Sequence, residues 1–159
     1  MTLIRRARPG DEADVTAMVH ELAAFERAAD QCTVTESQMH TALFGPQPTV
    51  RGHVAEVDGQ LAAAALWFLN FSTWDGEAGI YLEDLFVRPA FRRRGLARAL
   101  LSELARECVA AGYTRLTWAV LNWNVDAITL YDAVGGQPLT EWTTYRVSGP
   151  ALSELAESD

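Results

Sequence analysis

Apolar positions repeat along the chain with a period near 3.6 in some stretches and near 2 in others, and each switch marks a new element. Leu3 to Ala7 alternates as a short strand and stops at Pro9-Gly10. Val15, Met18, Val19, Leu22 and Ala23 fall at helical spacing, which predicts a helix capped by Asp11 and running to about Phe25-Glu26. Thr35-Glu36-Ser37-Gln38 has the form of a capping box and opens a second helix through Met39, Leu43 and Phe44, ended by Gly45-Pro46. Val50 to Val57 and Gln60 to Phe68 read as strands joined by Asp58-Gly59, a turn whose two positions need positive φ. Asn70 to Gly79 reads as a loop. Ile80 to Val87 alternates again, with Ile80, Leu82, Asp84 and Phe86 expected on one face and Tyr81, Glu83, Leu85 and Val87 on the other. After Arg88-Pro89 a helix from about Gly95 to Ala111 buries Leu96, Leu100, Leu101, Leu104 and Cys108 and closes at Gly112. Thr114 to Leu121 is a further strand. Asn124 opens a short helix to Val134, and Gly135-Gly136 releases the chain into a last strand near Glu141 to Val147. The order β-α-α-β-β-β-α-β-α-β predicts an α/β (α+β) fold, a mixed sheet with helices on both faces, in a single domain over residues 1–159.

Charge narrows the function. The chain carries 13 Lys and Arg against 21 Asp and Glu, a formal net charge of −8. That balance argues against nucleic acid, which needs basic surface, and favours cationic ligands, although solubility alone also accounts for it. Cys32 and Cys108 form neither a zinc pattern nor a disulfide framework, and both read as reduced packing residues. The opening Met1–Arg6 lacks the apolar core of a signal peptide, and Leu61–Leu69 is too short to span a bilayer, so a cytoplasmic protein without membrane partner is expected. His20, His40 and His53 lack metal-like spacing, and no metal is expected.

The sharpest chemical signal is Arg92-Arg93-Arg94-Gly95-Leu96-Ala97, where a strand ends and a helix begins. Unpaired N–H groups and the positive end of the helix dipole suit an anion there, and flanking arginines suit phosphate. The same residues also fit a basic, solvated helix start; they are neither a Walker loop nor a dinucleotide fingerprint. In this context Arg92-x-x-Gly95-x-Ala97 resembles the acetyl-coenzyme A motif of the GNAT (Gcn5-related N-acetyltransferase) superfamily, whose mixed, mostly antiparallel sheet has the element order just read. Tyr81–Val87, Trp123-Asn124, Leu130-Tyr131 and Gly135 further resemble its diamine (spermidine/spermine) and thialysine acetyltransferase branch.

The resemblance implies roles residue by residue. Leu85, Phe86 and Val87 would hold the pantetheine arm as an added strand. Arg92, Arg93, Arg94, Gly95, Leu96, Ala97 and Arg98 would take the pyrophosphate. Asn124 and Ala127 would contact the coenzyme further along, and Tyr131 would stand beside the thioester sulfur. Phe25, Glu26 and Glu83 would line the amine pocket, and a homodimer is implied. Ala97 replaces the commoner second glycine, and Phe25 stands where a tyrosine also occurs.

The chemistry asks for a base and an acid. A lysine-type ammonium, with a pKa of about 10.4, must lose a proton before it can attack. Glu83, flanked by apolar residues, is expected to be buried and so more basic; it also suits a plain counter-ion for the substrate. Tyr131 would protonate the leaving thiolate, and a backbone N–H near Leu85 would stabilise the oxyanion. No serine or cysteine nucleophile is apparent, which favours direct transfer. Trp74, Trp118, Trp123 and Trp142 fit either an amine pocket or plain packing. The function expected is acetyl transfer from acetyl-CoA to a small polyamine-like or thialysine-like primary amine. Acetylation of a protein lysine or N-terminus, or non-catalytic acyl-CoA sensing, remain alternatives.

Overall fold

The structure is a computed structural model that describes residues 1–158. They form two compact units, divided after Val125. The first holds β1 (Thr2–Arg6), α1 (Glu12–Phe25), α2 (Glu36–Phe44), β2 (Arg51–Val57), β3 (Gln60–Phe71), β4 (Ala78–Val87), α3 (Leu96–Ala111) and β5 (Leu116–Trp118). The second holds α4 (Val125–Ala133), which starts on the boundary residue, and α5 (Pro150–Glu157). The sheet runs β1-β2-β3-β4-β5; the first four strands are antiparallel neighbours and β5 lies parallel to β4.

Local chemistry accounts for most of these elements. Asp58 and Gly59 take φ of 49° and 82°, as the tight β2–β3 turn requires. The Thr35 hydroxyl accepts from the Gln38 amide while the Gln38 side chain accepts from the Thr35 amide, closing the expected capping box. Gly112, at φ 74°, ends α3 in a left-handed turn in which Tyr113 N–H bonds the Cys108 carbonyl. Asp11 departs from expectation. It precedes α1, but its carboxylate accepts from Arg5 at 2.7 and 3.0 Å and from the Arg8 amide at 2.8 Å, so no side-chain cap forms.

Two layers cover the sheet. Val15 and Met18 of α1 and Met39 and Leu43 of α2 pack on Val54, Ala64, Leu66 and Phe86. The opposite face carries His53, Trp67, Ile80 and Leu82, all buried, with Leu100, Leu101 and Leu104 of α3 also buried. The face assignment for β4 therefore needs correction. Its register passes from Leu66↔Asp84 to Trp67↔Leu82, leaving Glu83 as a β-bulge without a partner. The extra residue turns the strand over, so Ile80 and Leu82 share one face while Asp84 and Phe86 occupy the other.

The strand expected at Glu141–Val147 is absent among the described residues. That segment is exposed, and the sheet ends at β5. Aromatic and β-branched residues become a strand only where a neighbour pairs their backbone groups. The strand expected over Thr114–Leu121 shrinks to three residues for the same reason. Conversely, the β3–β4 hairpin extends to Phe71↔Ala78, shortening the expected loop to residues 72–77. The unforeseen α5 follows Gly149, with Pro150 in its first turn.

His53 supplies a pH dependence. Its Nδ1 accepts from Trp67 Nε1 at 3.1 Å, and burial, aided by the Arg6 charge and opposed by Glu103, lowers its pKa to about 4. The unfolded histidine binds its proton near pH 6.5, so the unfolded state holds more protons between pH 6.5 and 4. This contribution is complete above pH 6.5 and is lost as the pH falls through that window, by about 3 kcal/mol in all. Urea unfolding at pH 7 and pH 4.5 checks it: His53→Gln should flatten the dependence.

Candidate active site

The site is built on a strand that loses its neighbour. Among the described residues β5 pairs with β4 from Ile80 to Leu82 and not beyond, which leaves β4 past the bulge with a free edge. The Arg88 amide donates to the Ala62 carbonyl on the β3 side. By strand alternation the N–H and C=O groups of Leu85 and Val87 point the other way, to the free edge. Exposed strand edges invite an added extended chain. Arg92 partly covers this one. Its Nε donates to the Val87 carbonyl at 3.1 Å, and its guanidinium lies 5.1 Å from the Phe25 ring and 5.8 Å from that of Phe86.

Just beyond, Arg93 (φ 63°) and Gly95 (φ 76°) turn the chain left-handed into α3. The first bond of that helix runs from Ala99 N–H to the Gly95 carbonyl, so the amides of Leu96, Ala97 and Arg98 precede the helical ladder. A Cβ built on Gly95 would meet nothing within 4 Å, so the helix start opens onto free space. Arg93, Arg94 and Arg98 are exposed around it, Arg94 lying 5.4 Å from the Phe91 ring. Open amides, the dipole and flanking cations suit a diphosphate, and the free edge suits an extended amide-bearing arm.

The far side of β4 meets the end of α1. Arg27 adopts a positive φ of 63°, with Ala28 N–H bonded to the Ala23 carbonyl in a helix-ending turn that usually takes glycine. Its guanidinium stacks 4.5 Å over Trp123, whose ring lies 5.7 Å from Phe25. Phe25 and Trp123 thus form an aromatic wall, and burial raises the pKa of Glu26, the residue next to Phe25 in the chain.

Glu83 proves exposed, contrary to the burial expected of it, because the bulge carries it off the packed faces. The neighbouring Asp84 is the carboxylate that turns inward, and it is half-buried. It borders a small apolar hollow with Met18, Leu22, Ala64, Leu66 and Phe86. Burial, then the charges of Glu83 and Glu26, push its pKa up to about 6. Sequence reasoning passed over Asp84 although the signal was present: it was a carboxylate on a stripe otherwise made of apolar residues.

Asn124, half-buried, immediately precedes α4; in the second unit Ala127 and Tyr131 are half-buried on that helix. Leu96 is buried and Ala97 half-buried at the start of α3. A separate cavity of about 480 Å³ is bordered by Arg5, Arg8, Asp11, Asp14, Glu56 and Arg88. It is a basin of ion pairs, and its carboxylates are already used by Arg5 and Arg88. Among the described residues no group of three or more His, Cys, Asp or Glu is arranged to hold a metal ion, and no helix is long and apolar enough to cross a membrane.

An unpaired strand edge beside the open amides of a helix start suits an extended, phosphate-bearing ligand. The family comparison agrees: residues 16–135 match the acetyltransferase (GNAT) family, to which this chain belongs. Among its relatives are the thialysine N-epsilon-acetyltransferases of Caenorhabditis elegans, 37% identical over 94% of this chain and 93% of that protein, and of Mus musculus, 35% identical over 98% and 97%. An integron cassette protein from V. cholerae shares the fold with a TM-score of 0.83 at 24% identity, over 99% of this chain and 98% of that one. The protein is an acetyltransferase that transfers an acetyl group to an amine, and its family implies acetyl-CoA as the donor.

Proposed function

We propose that this enzyme acetylates the primary amine of a small thialysine-like or polyamine-like molecule, working as a cytoplasmic homodimer by direct transfer. The observation that carries the reading is the free edge of β4, with the Gly95 helix start on one side and the Phe25–Glu26 wall on the other. Two relatives named for thialysine, matched over nearly their whole length, support the substrate class.

In this reading acetyl-CoA supplies an activated thioester. The Leu96, Ala97 and Arg98 amides and the exposed Arg93, Arg94 and Arg98 hold its diphosphate, while Leu85, Phe86 and Val87 align the arm, with Asn124 and Ala127 as further contacts. Arg92 leaves the Val87 carbonyl as the arm adds to the strand. Glu83 and Glu26 attract the substrate's ammonium, and Phe25 and Trp123 pack on its aliphatic part. The Leu85 N–H stabilises charge developing on the carbonyl oxygen, and Tyr131 gives the departing sulfur its proton.

Free-thiol release from acetyl-CoA with a panel of amines tests the proposal. Thialysine, lysine, ornithine, putrescine and spermidine should include the best substrates, ahead of peptides carrying a lysine or a free N-terminus. Faster turnover of the peptides would reverse the assignment.

A further inference from the structure

Among the described residues three that are not glycine take a positive φ: Arg27, Asp58 and Arg93. Asp58 serves the β2–β3 turn, and Arg93 stands at the proposed diphosphate cradle. Arg27 has no such account. The turn that ends α1 would form more easily with glycine there, so a side chain is kept against the preference of the backbone. Strain of this kind tends to mark a residue whose side chain is used. The Arg27 guanidinium is exposed, and among the described residues it makes no hydrogen bond or ion pair. What holds it is the Trp123 ring, 4.5 Å away.

That guanidinium lies at the outer end of an aromatic path. Trp123 is 5.7 Å from Phe25, and Phe25 is 5.1 Å from Arg92, which bonds the Val87 carbonyl on the free edge of β4. Both rings are exposed, so they offer apolar surface to a ligand. The inner end is negative. Glu26 follows Phe25 in the chain, and it and Glu83 both act on Asp84. A pocket meant for polycations would gain nothing from a guanidinium, which repels an ammonium. A negative inner end and a positive outer end suit instead a chain with an amine at one end and a carboxylate at the other.

We propose that Arg27 binds the carboxylate of an amino-acid substrate whose side-chain amine is acetylated, and so selects such amines over diamines and polyamines. The proposal rests on the amine acetyltransferase reading and narrows it from two classes of amine to one. In an extended lysine-like side chain the amine and the carboxylate carbon are six bonds, about 7 Å, apart. That span is comparable with the 5.7 Å between the two rings. The methylenes lie along Phe25 and Trp123, the amine points to the β4 edge and the carboxylate meets the guanidinium. The Trp123 contact fixes Arg27 in advance without using its N–H donors, which stay free for a bidentate contact.

Matched pairs test the proposal, because lysine differs from cadaverine, and ornithine from putrescine, only by the carboxylate. Thiol release should give the higher kcat/KM for the amino acid of each pair. Arg27→Gly removes the guanidinium and relieves the positive φ, so its melting temperature should stay close to that of wild type. Because the charge is exposed, the contact belongs at the low end for charged hydrogen bonds, and the lysine-to-cadaverine ratio should fall about tenfold, through KM. Arg27→Lys should keep part of the preference, and Arg27→Glu should reverse it. A merely structural role would lower both members of a pair alike. A wild type that prefers the diamines, or an Arg27→Gly enzyme with an unchanged ratio, overturns the proposal and leaves the acetyltransferase reading intact. Loss of acetyl-CoA affinity in Arg27→Gly would place Arg27 on the coenzyme and overturn it as well. A wild type that releases no thiol with any amine removes the underlying reading.

Discussion

Replacing Tyr131 by Phe is expected to lower kcat by about 10²- to 10⁴-fold while leaving acetyl-CoA affinity essentially unchanged. Removing one oxygen from a half-buried ring on α4 takes away a proton donor and little packing. A thiolate leaving without its proton raises the barrier of the collapse step, whereas coenzyme binding is proposed to rest on backbone amides and arginines elsewhere. Stopped-flow thiol release and calorimetric titration separate the two quantities. A Tyr131→Phe enzyme with full turnover would exclude the acid role; one that no longer binds coenzyme would show the ring to be structural.

The second large effect is expected at Gly95. Its φ of 76° lies in the left-handed region, which aspartate visits more readily than most residues. Aspartate is also a good residue immediately before a helix. In Gly95→Asp the strain of a side chain at this φ should nevertheless cost about 1 kcal/mol of stability, leaving a folded protein. The aspartate's carboxylate would stand where the diphosphate is proposed to sit. With an effective dielectric near 20 and a separation of about 5 Å, the repulsion is about 3 kcal/mol, so coenzyme Kd should rise on the order of 10²-fold. Added salt should narrow the gap by screening. A stable Gly95→Asp protein that binds acetyl-CoA as tightly as wild type would dissociate this helix start from the coenzyme.

How much of this was legible in the sequence depended on the range of the interactions involved. The capping box at Thr35, the turn at Asp58-Gly59 and the start of α3 at Gly95 follow from chemistry within four residues, and each appears where the sequence places it. The bulge at Glu83 does not. It depends on how β4 meets β3, residues distant in sequence, and a one-residue shift reverses every face after it. For that reason the pattern assigned burial to Glu83 and overlooked Asp84. Strand ends failed similarly: Glu141–Val147 has strand composition but forms no strand among the described residues, while Phe71↔Ala78 pairs despite the polar Asn70 nearby. The guanidinium of Arg92 was assigned to phosphate by motif, yet it lies over β4 against Phe25 and Phe86, contacts that only the fold brings together.

Amide hydrogen exchange of the intact protein, with and without saturating acetyl-CoA, bears most directly on the whole account. The amides of Leu85 and Val87 on β4 and of Leu96, Ala97 and Arg98 at the start of α3 should slow markedly together when the coenzyme is added. If those five stay as they are while protection appears elsewhere, or nowhere, the coenzyme does not use this strand edge and helix start.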